Sequence, residues 1–266
     1  MTMIQINITA SSLSKLTPFN TYDSVQTVIT ELLVSNKLID KYIPKSKLEE
    51  CLISLQTPIL IQISDFMKLP RTTSPYYIAK EIVKKYVVPS YNKDITELES
   101  KQLIDKNLPD ILQILNFPIK KDLQMRRGNL KEYHNLNRYE NKFKRKIGQR
   151  NSKLYTKPLY TDPEGKFQIT IRGKVDGIVD DTIIESKNRT KRLFKMLRPY
   201  EKVQLEAYMF LTGMKKAVLT EYYNEESCVI EYNHDSQFWN DLCTRSIIPR
   251  VVDALKVYEC MDFIDK

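Results

Sequence analysis

Several residue types that nucleotide- and metal-binding proteins depend on are scarce in this 266-residue chain. It has six glycines, at positions 128, 148, 165, 173, 177 and 213. No combination of these has the spacing of a GxGxxG or Walker A loop, so phosphate binding of those kinds is excluded. Histidine occurs twice, as His134 and His234, which excludes an HExxH zinc site. The four cysteines, Cys51, Cys228, Cys243 and Cys260, contain no CxxC. They read as plain thiols in a reducing compartment; an iron–sulfur cluster is disfavoured because the downstream gaps are wide. No apolar run is long enough to span a membrane, so no membrane partner is expected. The first residues lack the basic and apolar regions of a secretory signal, so an intracellular protein is expected, cytoplasmic, or nuclear in a eukaryotic host.

Hydrophobic residues make up 42% of the chain and charged residues 28%, enough apolar surface to build a core. The 42 Lys and Arg outweigh the 33 Asp and Glu, for a net charge of +9. This excess has an address. Between Lys120 and Lys153 there are twelve basic residues against Asp122, Glu132 and Glu140, while the remainder, 42 less 12 and 33 less 3, holds thirty of each sign. A concentrated basic stretch points to a polyanionic partner. Lysine outnumbers arginine 30 to 12, which hints at an AT-rich genome.

Hydrophobic spacing divides the chain into a helical N-terminal region, residues 1–118, and an α/β remainder, residues 119–266. Helices are expected over Ser24–Leu38, with Asp23 as cap, and over Ser46–Leu55, Tyr77–Val87, Thr96–Ile104 and Leu108–Leu115. Pro58–Phe66 is ambiguous between helix and strand. Residues 119–150 read as one long basic helix or as two in succession. Strands follow at Phe167–Arg172, Lys174–Val179 and Thr182–Lys187, the last two joined by a turn at Asp180–Asp181. Then come a helix at Tyr200–Leu211, strands at Ala217–Tyr223 and Cys228–Tyr232, and a final helix over Asp235–Tyr258 broken near Pro249. This pattern fits an α/β (α+β) fold with a central mixed sheet flanked by helices.

The chemistry gathers in Gly173–Lys187. Glu185 and Lys187 are two apart in a strand and share a face with Ile183, while Ile184 and Ser186 face the other way. Asp176 precedes the tight turn by about as many residues as Glu185 follows it, so a hairpin brings the two carboxylates together. Adjacent carboxylates repel, and a divalent cation relieves that repulsion. Oxygen ligands select Mg²⁺ or Mn²⁺. Lys187 would stand beside a water polarised there, to orient or deprotonate it, or to stabilise charge on a phosphate.

Asp176, Glu185 and Lys187 at this spacing resemble the PD-(D/E)XK nuclease superfamily. Gly173-Lys-Val-Asp-Gly177 is similar to the GxxDG segment of its RecB-like and lambda-exonuclease-like (YqaJ-type) members. Gln204-Leu-Glu-Ala-Tyr208 is similar to their QxxxY helix, and Arg127-Gly-Asn-Leu-Lys-Glu132 to the RGxxxE helix. The resemblance covers about residues 125–225; Val175 stands where the superfamily usually has proline. It implies a restriction-endonuclease-like core and one or two Mg²⁺ or Mn²⁺ ions held by Asp176, Glu185, the carbonyl of Ser186 and Glu132. Gln204 would steady Lys187 or the DNA. The implied activity is DNA exonuclease action at duplex ends, 5′→3′, by a ring-shaped trimer. The implied setting is viral or phage-like replication or recombination, with a single-strand annealing or replication partner.

Arg126, Arg127, Lys131, Arg138, Lys142, Arg189, Lys191, Arg192 and Tyr208 are the candidate DNA contacts. Tyr133, Tyr139, Phe143, Tyr155 and Tyr160 either stack on bases or pack helices. The alternatives are a RecB-like single-strand nuclease or endonuclease, and a non-catalytic nucleic-acid-binding protein with the same fold. Ordinary roles also stand beside each site residue: Glu132 as a helical surface acid, Asp176 as a turn cap, Glu185 with Lys187 as an exposed sheet pair, Gln204 as a surface amide.

Overall fold

The computed structural model describes residues 3–20, 23–90 and 97–262; the side chains of Glu97, Arg127, Asn129, Leu130, Met261 and Asp262 lie outside the described residues. Two compact units emerge, Met1–Tyr42 with His134–Lys266, and Ile43–Tyr133. These units divide the chain elsewhere than at residue 118, and one reason is visible at the N-terminus. Ile4-Gln-Ile-Asn-Ile-Thr9 alternates with period two and forms a strand, β1 (Ile4–Thr9), where helix was expected. It pairs in parallel with β3 (Phe167–Gly173). β3 also pairs antiparallel with β2 (Tyr155–Thr161), completing a three-stranded sheet. The free edge of β1 is blunted by Asn36, whose Oδ1 accepts from Asn7 N at 2.7 Å and whose Nδ2 donates to Asn7 O at 3.2 Å.

A second sheet has the order β4 (Gly177–Val179), β5 (Thr182–Asn188), β6 (Lys216–Tyr223), β7 (Glu226–Asn233). One central sheet was expected; the chain builds two mixed ones. Helix α7 (Pro199–Thr212) links parallel strands β5 and β6 and packs against both sheets. Ile6, Ile169, Ile183, Val203, Leu205 and Leu219 are buried together there, with Leu33 of helix α1 (Val25–Ser35). The α1 cap is Ser24, which accepts from Thr27 N at 3.1 Å; Asp23 instead pairs with Lys15. Asp180 adopts φ 52° in the β4–β5 turn and Asn224 φ 51° in the β6–β7 turn, a conformation these two residue types tolerate. The final helix is two, α8 (Ser236–Leu242) and α9 (Ile248–Asp262), joined by a π-turn at Cys243–Ile247. Pro249 follows closely on that π-turn, so the irregularity lies where its missing N–H interrupts the helical ladder.

The other unit is helical: α2 (Lys47–Ser54), α3 (Thr57–Phe66), α4 (Pro75–Ile82) and α5 (Glu97–Asn107). Pro58–Phe66 is thus helix, and Asp110–Leu115 is a 3₁₀ turn. Leu48, Leu52, Ile63, Ile78, Ile82 and Leu112 form its core. Helix α6 (Asn116–Phe143) starts in this unit and ends before Lys144, whose φ of 53° terminates it. Among the described residues no helix is long and apolar enough to cross a membrane.

Candidate active site

Strand β5 carries the site because its two faces differ. Ile183 points into the main core, whereas Ile184 packs with Val179 and Val218 on the opposite face. Ala217, Leu219 and Glu221 of β6 lie in register beside Ile183, Glu185 and Lys187. The shared face is therefore apolar at the strand starts and charged towards their ends.

Asp176 approaches from the stretch 174–176, which carries the chain out of β3 in one sheet and into β4 in the other. It was expected within a strand; it lies one step before the first β4–β5 pair, Gly177 with Ile184, and so opposite Glu185. There the ladder has ended, and the N–H of Ser186 needs another acceptor. Asp176 Oδ2 provides it at 2.8 Å. Both flanking glycines are explained by close approach. A Cβ on Gly173 would lie 3.0 Å from Ala10 Cβ and 3.2 Å from Tyr208 Cε1, and one on Gly177 would lie 2.2 Å from Ile147 Cγ2.

Glu185 is 3% exposed and Asp176 8%. Glu185 Oε1 accepts from Lys187 Nζ at 2.6 Å and from Gln204 Nε2 at 3.0 Å. Gln204 Oε1 in turn accepts from Lys187 at 3.2 Å, and its Nε2 reaches the Tyr208 hydroxyl at 2.9 Å. Burial alone pulls the Lys187 pKa down, but the carboxylates of Glu185, Asp176 and Glu201 outweigh it and hold the ammonium above its ordinary range.

The other oxygen, Glu185 Oε2, is buried with no hydrogen-bond partner among the described residues. An unmatched carboxylate oxygen inside a protein is costly, and a cation beside it removes that cost. The candidate donors are all oxygens: Asp176 and Glu185, opposite each other across β4 and β5, and, as the family resemblance implies, the backbone carbonyl of Ser186. Among the described residues no three His, Cys, Asp or Glu side chains gather at metal-binding range. Two carboxylates completed by carbonyl, water and substrate oxygens match what Mg²⁺ accepts, so the residues present fit that ion.

The other candidates are scattered. Arg126, Lys131 and Glu132 stand on α6 within the Ile43–Tyr133 unit; the Arg127 side chain lies outside the described residues. Arg138 donates to Asn224 O at 3.1 Å and to Glu225 at 2.5 Å, and Lys142 to Ser227 Oγ at 3.3 Å, so both tie α6 to the β6–β7 turn. Tyr139 is buried against Phe143. Two of the expected DNA contacts are engaged within the protein. Tyr208 is 5% exposed and holds Gln204, facing inward. Arg189, with its side chain 10% exposed, is paired with Glu201, at 2.7 Å, and with Glu221. Lys191 and Arg192 are exposed in the loop that follows β5.

In the unit that carries the site, sequence reasoning missed three buried acids. Besides Glu201 and Glu221 there is Glu206, fully buried, which accepts from Tyr232 Oη at 2.5 Å and Asp235 N at 2.8 Å and contacts His234 Nδ1 at 2.6 Å. The available signal was an acid inside an otherwise apolar strand or helix face, which demands a buried partner.

No family model matches the chain, and no curated protein matches it. Solved structures do. The alkaline exonuclease LHK-Exo of Laribacter hongkongensis aligns over 97% of this chain and 93% of its own, with a TM-score of 0.51 at 12% identity. A phage related exonuclease of Haemophilus somnus 129PT aligns over 98% of this chain and 97% of its own, with a TM-score of 0.41 at 14% identity. The likeness to the alkaline exonuclease is one of fold, and it is the α/β nuclease-like fold that the sequence motifs implied.

Proposed function

We propose that this chain is a divalent-metal-dependent deoxyribonuclease that removes nucleotides from DNA ends. The observation that carries this reading is Glu185: a buried carboxylate with one oxygen committed to Lys187 and Gln204 and the other unmatched, opposite Asp176. Asp176, Glu185 and the Ser186 carbonyl would hold one or two Mg²⁺ or Mn²⁺ ions; Glu132 joins them on the RGxxxE resemblance alone. When bound, the metal polarises the scissile phosphate and makes water nucleophilic at neutral pH.

The protein's own residues do the rest. The Ser186 N–H fixes one oxygen of Asp176. Because N–H and C=O of one strand residue project to the same side, that contact also aims the Ser186 carbonyl at the site. Gln204, itself held by Tyr208, keeps Lys187 against Glu185. The Lys187 ammonium donates to the phosphate as negative charge grows on it, which requires a cation rather than a base. Lys191 and Arg192, and on charge alone Arg126, Arg127 and Lys131, would contact the DNA backbone without reading sequence.

The lambda-like motifs support attack at duplex ends in the 5′→3′ direction, and with it a ring-shaped trimer, an annealing or replication partner, and a role in viral or phage-like genome replication or recombination. One assay tests the reading: end-labelled linear duplex, single-stranded and circular DNA incubated with Mg²⁺ or with chelator. Mg²⁺-dependent mononucleotide release from linear duplex is expected. Cutting of circles points to an endonuclease, preference for single strands to a RecB-like enzyme, and binding without cleavage to a non-catalytic protein.

A further inference from the structure

We infer that Glu221 is a positioning residue: from the middle of the second sheet it holds the loop 189–198 in the shape that presents Lys191, Arg192 and Lys195 to DNA phosphates. The inference rests on the nuclease reading above and concerns the grip on substrate, not the cleavage chemistry.

Glu221 is fully buried and is the register partner of Lys187. A carboxylate in that position is costly unless every acceptor site is used. Here they are used by the loop. Oε1 accepts from Arg189 Nε at 2.7 Å. Oε2 accepts from two successive backbone groups, Phe194 N at 3.0 Å and Lys195 N at 2.8 Å. The base of the loop is fixed as well, with Arg189 N donating to Tyr222 O at 2.7 Å and its guanidinium meeting Glu201, which is 1% exposed. The Phe194 ring lies between two guanidiniums, 4.6 Å from Arg189 and 3.8 Å from Arg198.

A mere connector between β5 and α7 has no need of such an anchor, since surface loops are ordinarily the least constrained parts of a fold. Lys195 also adopts φ 56°, a left-handed conformation unfavourable for a lysine. The two N–H groups on Glu221 hold the chain in that turn. What the anchored loop turns outward is cationic: Lys191, Arg192 and Lys195 are exposed, and none has an acidic partner among the described residues. The loop begins two residues after Lys187. Its charges are thus held on a rigid base next to the carboxylate site, as a groove that tracks a phosphate backbone requires.

The test is a binding cycle on a labelled duplex oligonucleotide over a range of salt, with wild type, Glu221→Gln, the triple variant Lys191→Ala/Arg192→Ala/Lys195→Ala, and their combination. Each lost phosphate contact lowers the slope of log K against log salt by about 0.9, so the triple variant should lose about 2.7. Glu221→Gln should weaken binding roughly tenfold, lower the slope in the same sense, and add almost nothing in the triple background. In cleavage its loss should fall on KM. Glu221→Asp, which keeps the charge, should recover part of it. In wild type the Phe194 and Lys195 amides should exchange hydrogen slowly for a loop, a measurement that holds even if Glu221→Gln fails to fold. An equal loss with and without the three cations, a triple variant that binds like wild type, or fast exchange of both amides overturns the proposal. If wild type binds in this pattern but cleaves nothing, the nuclease reading fails and the positioning role stands.

Discussion

Gln204 and Lys187 converge on a single oxygen of Glu185, at 3.0 and 2.6 Å, and touch each other at 3.2 Å. The triangle makes Gln204 the residue that sets the lysine's position. Gln204→Ala should fold normally and lower single-turnover cleavage by about 10- to 100-fold, the range for a displaced catalytic group. Tyr208→Phe, which removes only the hydroxyl that Gln204 reaches, should cost less. Equal rates for Gln204→Ala and wild type would detach Gln204 from the site.

The charge on Lys187 gives a prediction in pH. Its pKa is raised because the surrounding carboxylates outweigh the effect of burial. A raised amine pKa contributes stability that is fully present below the unfolded value and lost only as pH rises through the folded value. None of it is lost between about pH 7 and 9, since an unfolded lysine titrates near 10.4. The difference in thermal stability between wild type and Lys187→Met should therefore be the same at both ends of that range. A difference that shrinks by pH 9 would mean a lowered pKa and a lysine able to act as a base.

Gly177 is predicted to be intolerant of a single methyl group. The added Cβ would meet Ile147 Cγ2 at 2.2 Å, and a β-branched methyl cannot swing aside. Gly177→Ala should destabilise by about 1–3 kcal/mol. Combined with Ile147→Ala, it should cost less than the two single changes summed, because the clash and the cavity share one space. Denaturant unfolding of the four proteins measures this.

The buried thiol of Cys243 is pushed up to about 12, first by burial and then by the nearby Glu206 charge. At about pH 8 its thiolate fraction is then on the order of one in ten thousand, and thiolate is the reactive form. Alkylation of the native protein should spare Cys243 while modifying exposed Cys260, and unfolding should release it. Rapid native labelling of Cys243 would contradict the packing of the turn between α8 and α9.

How far the molecule could be read in advance differs from element to element. The strand face of Glu185 and Lys187 was legible, because strand alternation leaves no choice of side. So were the helix of Gln204 and the turn at Asp180–Asp181. β1 was missed although Ile4, Ile6 and Ile8 alternate plainly, because its partner β3 lies some 160 residues downstream and a six-residue strand carries little signal beside the helices that follow. The partners of Arg189 were not legible for a related reason. A basic residue next to Lys191 and Arg192 looks like part of a surface patch until Glu201 and Glu221, which claim it, are known to be nearby. Charge runs show where charge is, and only tertiary contacts show which charges are already matched.

The central claim is that Asp176, Glu185 and Lys187 form a metal-dependent DNA-cleaving centre. The most direct test is Mg²⁺-dependent degradation of 5′-labelled linear duplex by wild type, Asp176→Ala, Glu185→Gln and Lys187→Ala, each verified as folded. The account predicts nucleotide release by wild type that chelator abolishes and a loss of at least about a thousandfold in each variant. Degradation by the folded variants at the wild-type rate, or activity indifferent to chelator, would contradict it.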